Sequence, residues 1–233
     1  MGNLFIFRLI TICFCFIYFV GPANAEQASD KVWILKQILQ NGEKRTVCVS
    51  KNGIKFVQNE YVLFTKAPDW KITLLNKKLR NYYKTSLVGI NGVSWIDKVP
   101  GSVAKDKSSN LTVVGLPASV FESTRESKDK VTVKATRGLP VSGEKLELVQ
   151  NLYGIENIDG LPLEVSLVDD KNVSHSILVT DWCMSKDLPQ SFYNIPRGYM
   201  AAKTMSEVQV PKSKSKKRVR KYRPFQDKSK ASK

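Results

Sequence analysis

The chain has 233 residues, 42% hydrophobic and 9% aromatic, which supplies enough apolar side chain for a sizeable core and excludes wholesale disorder. Its formal charge is +16. Residues 1–25 carry one charge, Arg8, and residues 211–233 carry eleven Lys/Arg against Asp227, so +1 and +10 lie there and +5 remains on 26–210. A charge of +5 is ordinary for a soluble domain. The basicity belongs to a tail, and nucleic acid is not an expected partner.

Residues 1–25 read as a secretory signal peptide. Arg8 ends a short n-region, Leu9–Val20 is apolar, Gly21-Pro22 breaks the run, and Ala23-Asn24-Ala25 fits small-x-small cleavage. The apolar run is shorter than the ~20 residues that a membrane-spanning helix needs. The mature chain is therefore expected to begin at Glu26 and to be exported and soluble, in the periplasm or cell envelope. Two of the four cysteines, Cys13 and Cys15, lie in the apolar run, which leaves Cys48 and Cys183 downstream.

Val32, Trp33, Leu35, Ile38 and Leu39 suit a short helix capped by Ser29 or Asp30 and stopped at Asn41-Gly42, with a leading strand as the alternative. A meander follows at about 45–50, 54–58, 60–66, 70–75 and 79–85. Val47 and Val49 alternate with Thr46, Cys48 and Ser50, and Trp70, Ile72 and Leu74 alternate with Lys71 and Thr73. Side chains on a strand switch faces at every residue, so this period marks strands with one buried face. Asn52-Gly53 is a hairpin signal because both residues tolerate positive φ.

Residues 86–110 read as a long loop. Leu111–Val114 and Ser119–Glu122 read as short strands, and Lys130–Thr136 alternates as a third. Ser142–Tyr153 is predicted helical. Ser142 is its cap, Glu144 sits in the first turn, Leu146, Val149, Leu152 and Tyr153 form the apolar stripe, and Gly154 stops it. Residues 161–182 form a hairpin around Asp169-Asp-Lys-Asn172, with Leu163 and Val165 on one arm and His175, Ile177 and Val179 on the other. Trp70, Ile72, Leu74, Leu163, Val165, Ile177 and Val179 are expected to face one interior. The aromatic segment Ser191–Met200 is expected to close one edge of the sheet. Pro211 onward has no apolar periodicity and reads as a disordered tail.

Asn52-Gly53-Ile54, Pro68-Asp69-Trp70-Lys71, Tyr82-Tyr83, Gly160-Leu161-Pro162-Leu163, and Phe192 with Ile195-Pro196-Arg197-Gly198-Tyr199 resemble the periplasmic lipoprotein-carrier superfamily of LolA/LolB-like and LppX-like proteins. The resemblance covers about residues 30–205. It implies an incomplete barrel whose concave, helix-covered face holds lipid or acyl chains.

His175 is the single histidine, and Cys183 lies eight residues on, with Asp181 placed to orient the ring. A thiolate nucleophile needs a base within reach, and a half-buried strand histidine beside an unreactive thiol is the plainer reading. Cys48 and Cys183 form a possible disulfide, since exported proteins meet an oxidising compartment, and two free thiols are the alternative. Asp169 and Asp170 read as turn formers and not as metal ligands. No phosphate loop, nucleophile elbow or zinc motif occurs, so neither a metal nor a cofactor is expected, nor a catalytic residue.

Lys216 to Arg223 holds six basic residues in eight, and Lys212, Lys214, Lys216, Lys217, Arg218, Arg220, Lys221 and Arg223 are the expected anionic-surface contacts. The fold expected is α+β: a strongly curved antiparallel sheet, an incomplete barrel, with a helix on its concave face and a disordered basic tail. The domains are 1–25 signal peptide, 26–210 curved-sheet domain and 211–233 tail. The expected function is non-enzymatic: an envelope binding or carrier protein for a lipid-like or hydrophobic ligand, its tail docking to an anionic membrane or envelope polymer. The alternative is a structural or interaction protein with a solid core and no small ligand.

Overall fold

A computed structural model describes residues 29–87, 102–103, 105–124 and 129–209. The signal-peptide segment and the basic tail lie outside the described residues. Strands β1 (Ser29–Leu39), β2 (Lys44–Ser50), β3 (Gly53–Gln58), β4 (Tyr61–Lys66), β5 (Ile72–Asn76) and β6 (Asn81–Thr85) form the meander. After β7 (Ser102–Val103) come β8 (Lys105–Val113), β9 (Leu116–Thr124) and β10 (Lys130–Thr136). Helix α1 (Glu144–Tyr153) and β11 (Ile155–Glu156) precede the hairpin of β12 (Leu161–Val168) and β13 (Ser174–Pro189). A 3-10 turn (Gln190–Tyr193), β14 (Met200–Ala201) and the one-turn helix α2 (Met205–Val208) complete the described chain.

The strands make one open sheet of twelve, in the order β14-β6-β5-β4-β3-β2-β1-β13-β12-β10-β9-β8, not closed into a barrel. A parallel pair, β7 with β11, stands apart. In the large sheet the ladders are antiparallel except β14 on β6.

The segment expected as a helix is β1. It lies between β2 and β13, so both of its faces carry apolar side chains: Leu35 and Leu39 on one, Val32, Ile34 and Ile38 on the other. Two apolar faces hide the period of two and imitate helical spacing, while Val32, Trp33, Ile34 and Ile38 supply strand propensity. Gly42 (φ 79) turns the chain into β2, with Asn41 Oδ1 accepting from the Glu43 N–H at 2.9 Å.

The register defines two faces. One row runs Cys183, Leu35, Val47, Phe56, Leu63, Leu74, Tyr83, and is called here the inner face. The next row, Met184, Ile34, Cys48, Lys55, Phe64, Thr73, Lys84, belongs to the outer face. On the inner face α1 buries Leu148, Val149, Leu152 and Tyr153 in one core with Val47, Phe56, Leu63 and Leu163. Tyr153 stands edge-on to Phe56, with ring centroids 6.3 Å apart. Lys145 of α1 is buried, and its Nζ donates to the carbonyls of Ser50 and Lys51 at 3.0 and 3.1 Å. Burial pulls its pKa down, with the charge of Asp30 acting in the opposite direction.

Several expectations shift by a residue or a face. Gly143, not Ser142, occupies the N-cap of α1, and no side chain caps it; Gly154 (φ 66) ends the helix as expected. Trp70 (φ 50) sits in the turn before β5 with Lys145 Nζ 5.7 Å from its ring centre, while Ile72, Leu74, Leu163 and Val165 are core as read. Bulges at Lys36/Gln37 and Val165/Ser166 reset the alternation along β13. Val179 therefore pairs with Ile38 on the outer face and is exposed, and Ile177 is only half-buried. β8 and β9 are longer than expected, and β8 begins inside the segment read as loop. No described helix is long and apolar enough to cross a membrane.

Candidate functional site

The segment after β13 folds back over the outer face of β3–β5. Phe192, Tyr193, Ile195 and Tyr199 pack on Val57, Val62, Phe64 and Leu75, a second small core on the side of the sheet opposite α1. Lys55 fastens it. Its Nζ donates to the Phe192 carbonyl and lies 3.8 Å from the Phe192 ring centre and 5.7 Å from those of Phe64 and Tyr193. A cation among three ring faces is held by their quadrupoles. Burial lowers the Lys55 pKa, opposed by the neighbouring Cys48. Lys66 Nζ donates to Asn194 Oδ1 as a second clasp.

Gly53 makes this closure possible. A Cβ there would meet the Thr65 carbonyl at 2.9 Å and the Tyr193 ring at 3.1 Å. Its φ is not positive; the position needs a bare Cα so that an aromatic ring can lie against the strand. Tyr193 is 2% exposed, and its Oη sits beside Ser50 without a hydrogen bond of ordinary geometry. Burial pushes its pKa up.

Between this segment and the sheet opens a cleft of about 550 Å3. Phe64, Tyr193 and Ile195 give it an apolar wall; Lys66, Lys71 and Lys84 stand around it, with Asp69 as the one acid of the lining. Alternation explains the lysines: Lys84 shares a row with Phe64 and Thr73, and Lys66 lies two residues along β4 from Phe64. A second cleft of about 250 Å3 shares Lys66, Pro68 and Tyr193 and adds Asp30 and Asn52. The excess of cations beside apolar wall suits a ligand with an anionic group and an apolar body.

The inner face carries a buried polar row that sequence reading missed. Arg45 is 2% exposed; its Nε donates to Gln58 Oε1 at 3.0 Å, its guanidinium lies 5.4 Å from the Tyr153 ring centre, and its Nη2 has no partner. Gln58 Nε2 donates to Glu43 Oε2 at 2.7 Å. Tyr153 Oη donates to Gln37 Oε1 at 2.8 Å, and Gln37 Nε2 donates to the Pro162 carbonyl at 3.0 Å. These bonds orient α1 on the sheet. The available signal was Gln37, Arg45 and Gln58 standing at positions whose parity puts them among the core residues.

Cys48 and Cys183 are free thiols. They flank β1, paired with Ile34 and Leu35 respectively, and adjacent residues of a strand point to opposite faces. The expected disulfide is thus replaced by one thiol on each face. Burial pushes Cys48 up to about 11, with Lys55 opposing, and burial also raises Cys183. His175 and Cys183 lie about 26 Å apart along one strand at its usual rise. The partner of His175 is Asp169, with Nε2 to Oδ2 at 3.1 Å, and not Asp181. Asp169 Oδ1 also accepts from the Lys171 and Val173 N–H groups, and these bonds, Val173 foremost, hold its carboxyl below the usual range. It acts as the turn former expected. Among the described residues no cluster of His, Cys, Asp and Glu could hold a metal ion. The tail residues from Lys212 to Arg223 lie outside the described residues.

No family model matches the chain, and no curated protein matches it. Solved structures give remote similarities. An uncharacterized conserved protein from Thermus thermophilus aligns with a TM-score of 0.43 at 7% identity, over 73% of this chain and 89% of its own. MucB, solved in complex with MucA(peri), aligns with a TM-score of 0.34 at 11% identity, over 79% of this chain and 55% of its own. A putative outer membrane lipoprotein-sorting protein domain from Vibrio parahaemolyticus aligns with a TM-score of 0.29 at 11% identity, over 67% and 85%. These likenesses are of fold and weak, and they assign no family.

Proposed function

We propose that this chain is an exported, non-catalytic binding protein of the cell envelope whose ligand is an anionic amphiphile. Residues 1–25 are removed on export, residues 26–210 form the binding domain, with α1 in the hollow of the curved sheet, and the basic tail 211–233 keeps it near anionic surfaces. The observation that carries the reading is the outer-face cleft, where Lys66, Lys71 and Lys84 surround a wall of Phe64 and Ile195. The ligand's charged group sits among the lysines, its apolar part lies on the wall, and Tyr193 borders both clefts. This departs from a carrier that swallows acyl chains between helix and sheet. That space is filled by side chains such as Phe56, Leu148 and Leu152, all at most 2% exposed.

The filled interior favours a second reading, an interaction module with no small ligand. Calorimetric titration with dodecyl phosphate, below its micelle concentration, separates the two. Saturable binding is expected, with dodecyl maltoside failing to compete. Hydrogen bonds to charged groups are worth about 1.5–3 kcal/mol, so Lys66→Gln with Lys84→Gln should weaken binding by at least about tenfold. Absence of saturable binding, or equal binding by the double variant, would leave the interaction module.

A further inference from the structure

The outer face has a second region, away from the cleft. Where the segment from Phe192 to Tyr199 covers β3–β5, the strands β1 and β13 carry apolar side chains toward solvent. Ile38, Val179, Trp182 and Met184 are 36–40% exposed, and the register gathers them: Met184 stands across from Ile34, Trp182 from Lys36, and Val179 from Ile38. These are large side chains on neighbouring positions of one sheet face, where isolated exposed residues would need no explanation.

The charges between them have one dominant sign. Lys36 shares the Trp182 row, with its Nζ 4.9 Å from the indole centre; Lys44 pairs with Ile38, and Lys186 with Val32. All three lysines are exposed. Of the acids nearby, Glu164 is paired with Lys134, and Asp181 lies in the bulge. A tryptophan beside lysines whose stems run along apolar surface is the composition that settles at a bilayer interface, rings at the headgroup level and ammonium groups at the phosphates. Each lysine near an anionic leaflet favours association by about fivefold.

We propose that the outer face of β1 and β13 is a docking surface for an anionic lipid bilayer. Ile38, Val179, Trp182 and Met184 enter the headgroup boundary, and Lys36, Lys44 and Lys186 meet lipid phosphate. The proposal rests on the envelope location proposed above but not on the cleft, and it makes the sheet a partner of the tail in holding the protein to a membrane.

The test is co-sedimentation of the exported chain with phosphatidylglycerol/phosphatidylcholine vesicles. It compares the wild type, a Trp182→Ser/Met184→Ser double variant, and a tail variant with Lys216, Lys217, Arg218 and Arg220 changed to Gln. Both side chains of the double variant are exposed, so its thermal melt should match the wild type. The double variant should partition about tenfold less, and vesicles with brominated acyl chains should quench a component of tryptophan emission that Trp182→Phe removes. Unchanged partition of the double variant, with loss confined to the tail variant, would overturn the proposal and assign docking to the tail alone. Sedimentation velocity showing a lipid-free dimer that the double variant breaks would overturn it in favour of a second copy of the chain. Dodecyl phosphate binding by the double variant should remain at the wild-type level, so a failure here is distinguishable from a failure of the cleft.

Discussion

Replacing Phe56 by alanine is expected to lower the unfolding free energy by about 3–5 kcal/mol. The ring is fully buried and stands in the row Val47, Phe56, Leu63 at the centre of the inner face, against the edge of Tyr153. Its removal costs the transfer free energy of the ring and leaves a cavity that flanking strands fixed by ladders on both sides cannot close. It also frees Tyr153, whose hydroxyl bond to Gln37 helps fix α1. Urea denaturation of the two proteins measures the loss, and a change below about 1 kcal/mol would place Phe56 outside the core that joins α1 to the sheet.

The second large effect is expected at Gly53. Gly53→Ala places a methyl group 2.9 Å from the Thr65 carbonyl and 3.1 Å from the Tyr193 ring. The tighter contact is with backbone, so β3 must shift against β4 at the Gly53–Lys66 pair, and the Tyr193 ring must give way as well. Overpacking of this kind costs about 1–3 kcal/mol. The displaced ring belongs to the wall shared by both clefts, so dodecyl phosphate affinity should fall together with stability. Thermal unfolding and calorimetric titration of the same preparation read the two effects. A variant with unchanged affinity and unchanged stability would show that the segment from Gln190 to Tyr193 does not lie on β3.

These two residues mark what a single chain of letters discloses. The strand that carries Phe56 was legible, because strands with one apolar face announce themselves by alternation; the rest of the meander and the 161–182 hairpin were placed the same way, and Gly154 by the helical spacing before it. Gly53 was legible as a glycine position for the wrong reason. The Asn52-Gly53 pair suggested a positive-φ turn, whereas the need comes from the Thr65 carbonyl on β4 and from Tyr193, far along the chain in sequence. β1 escaped because a central strand apolar on both faces loses its period, and Val179 changed face because the bulge at Val165/Ser166, which leaves Ile177 unpaired, carries no residue signature. The disulfide failed for a related reason: only the register shows that Cys48 and Cys183 pair with adjacent residues of β1. The cleft was invisible for another reason. Lys66 on β4, Lys71 before β5 and Lys84 on β6 are ordinary surface lysines until Tyr193 and Ile195 fold over this face.

The proposed ligand site lies on the outer face, under the segment from Phe192 to Tyr199, and not between α1 and the sheet. Amide chemical-shift mapping of the 15N-labelled exported chain titrated with dodecyl phosphate tests it most directly. Saturable shifts should concentrate at Lys66, Lys71, Thr73, Lys84 and Ile195, with Leu148, Leu152 and Phe56 unmoved. Shifts concentrated on Leu148, Leu152 and Phe56, with the lysine cleft silent, would contradict the account and return the ligand to the space beneath the helix.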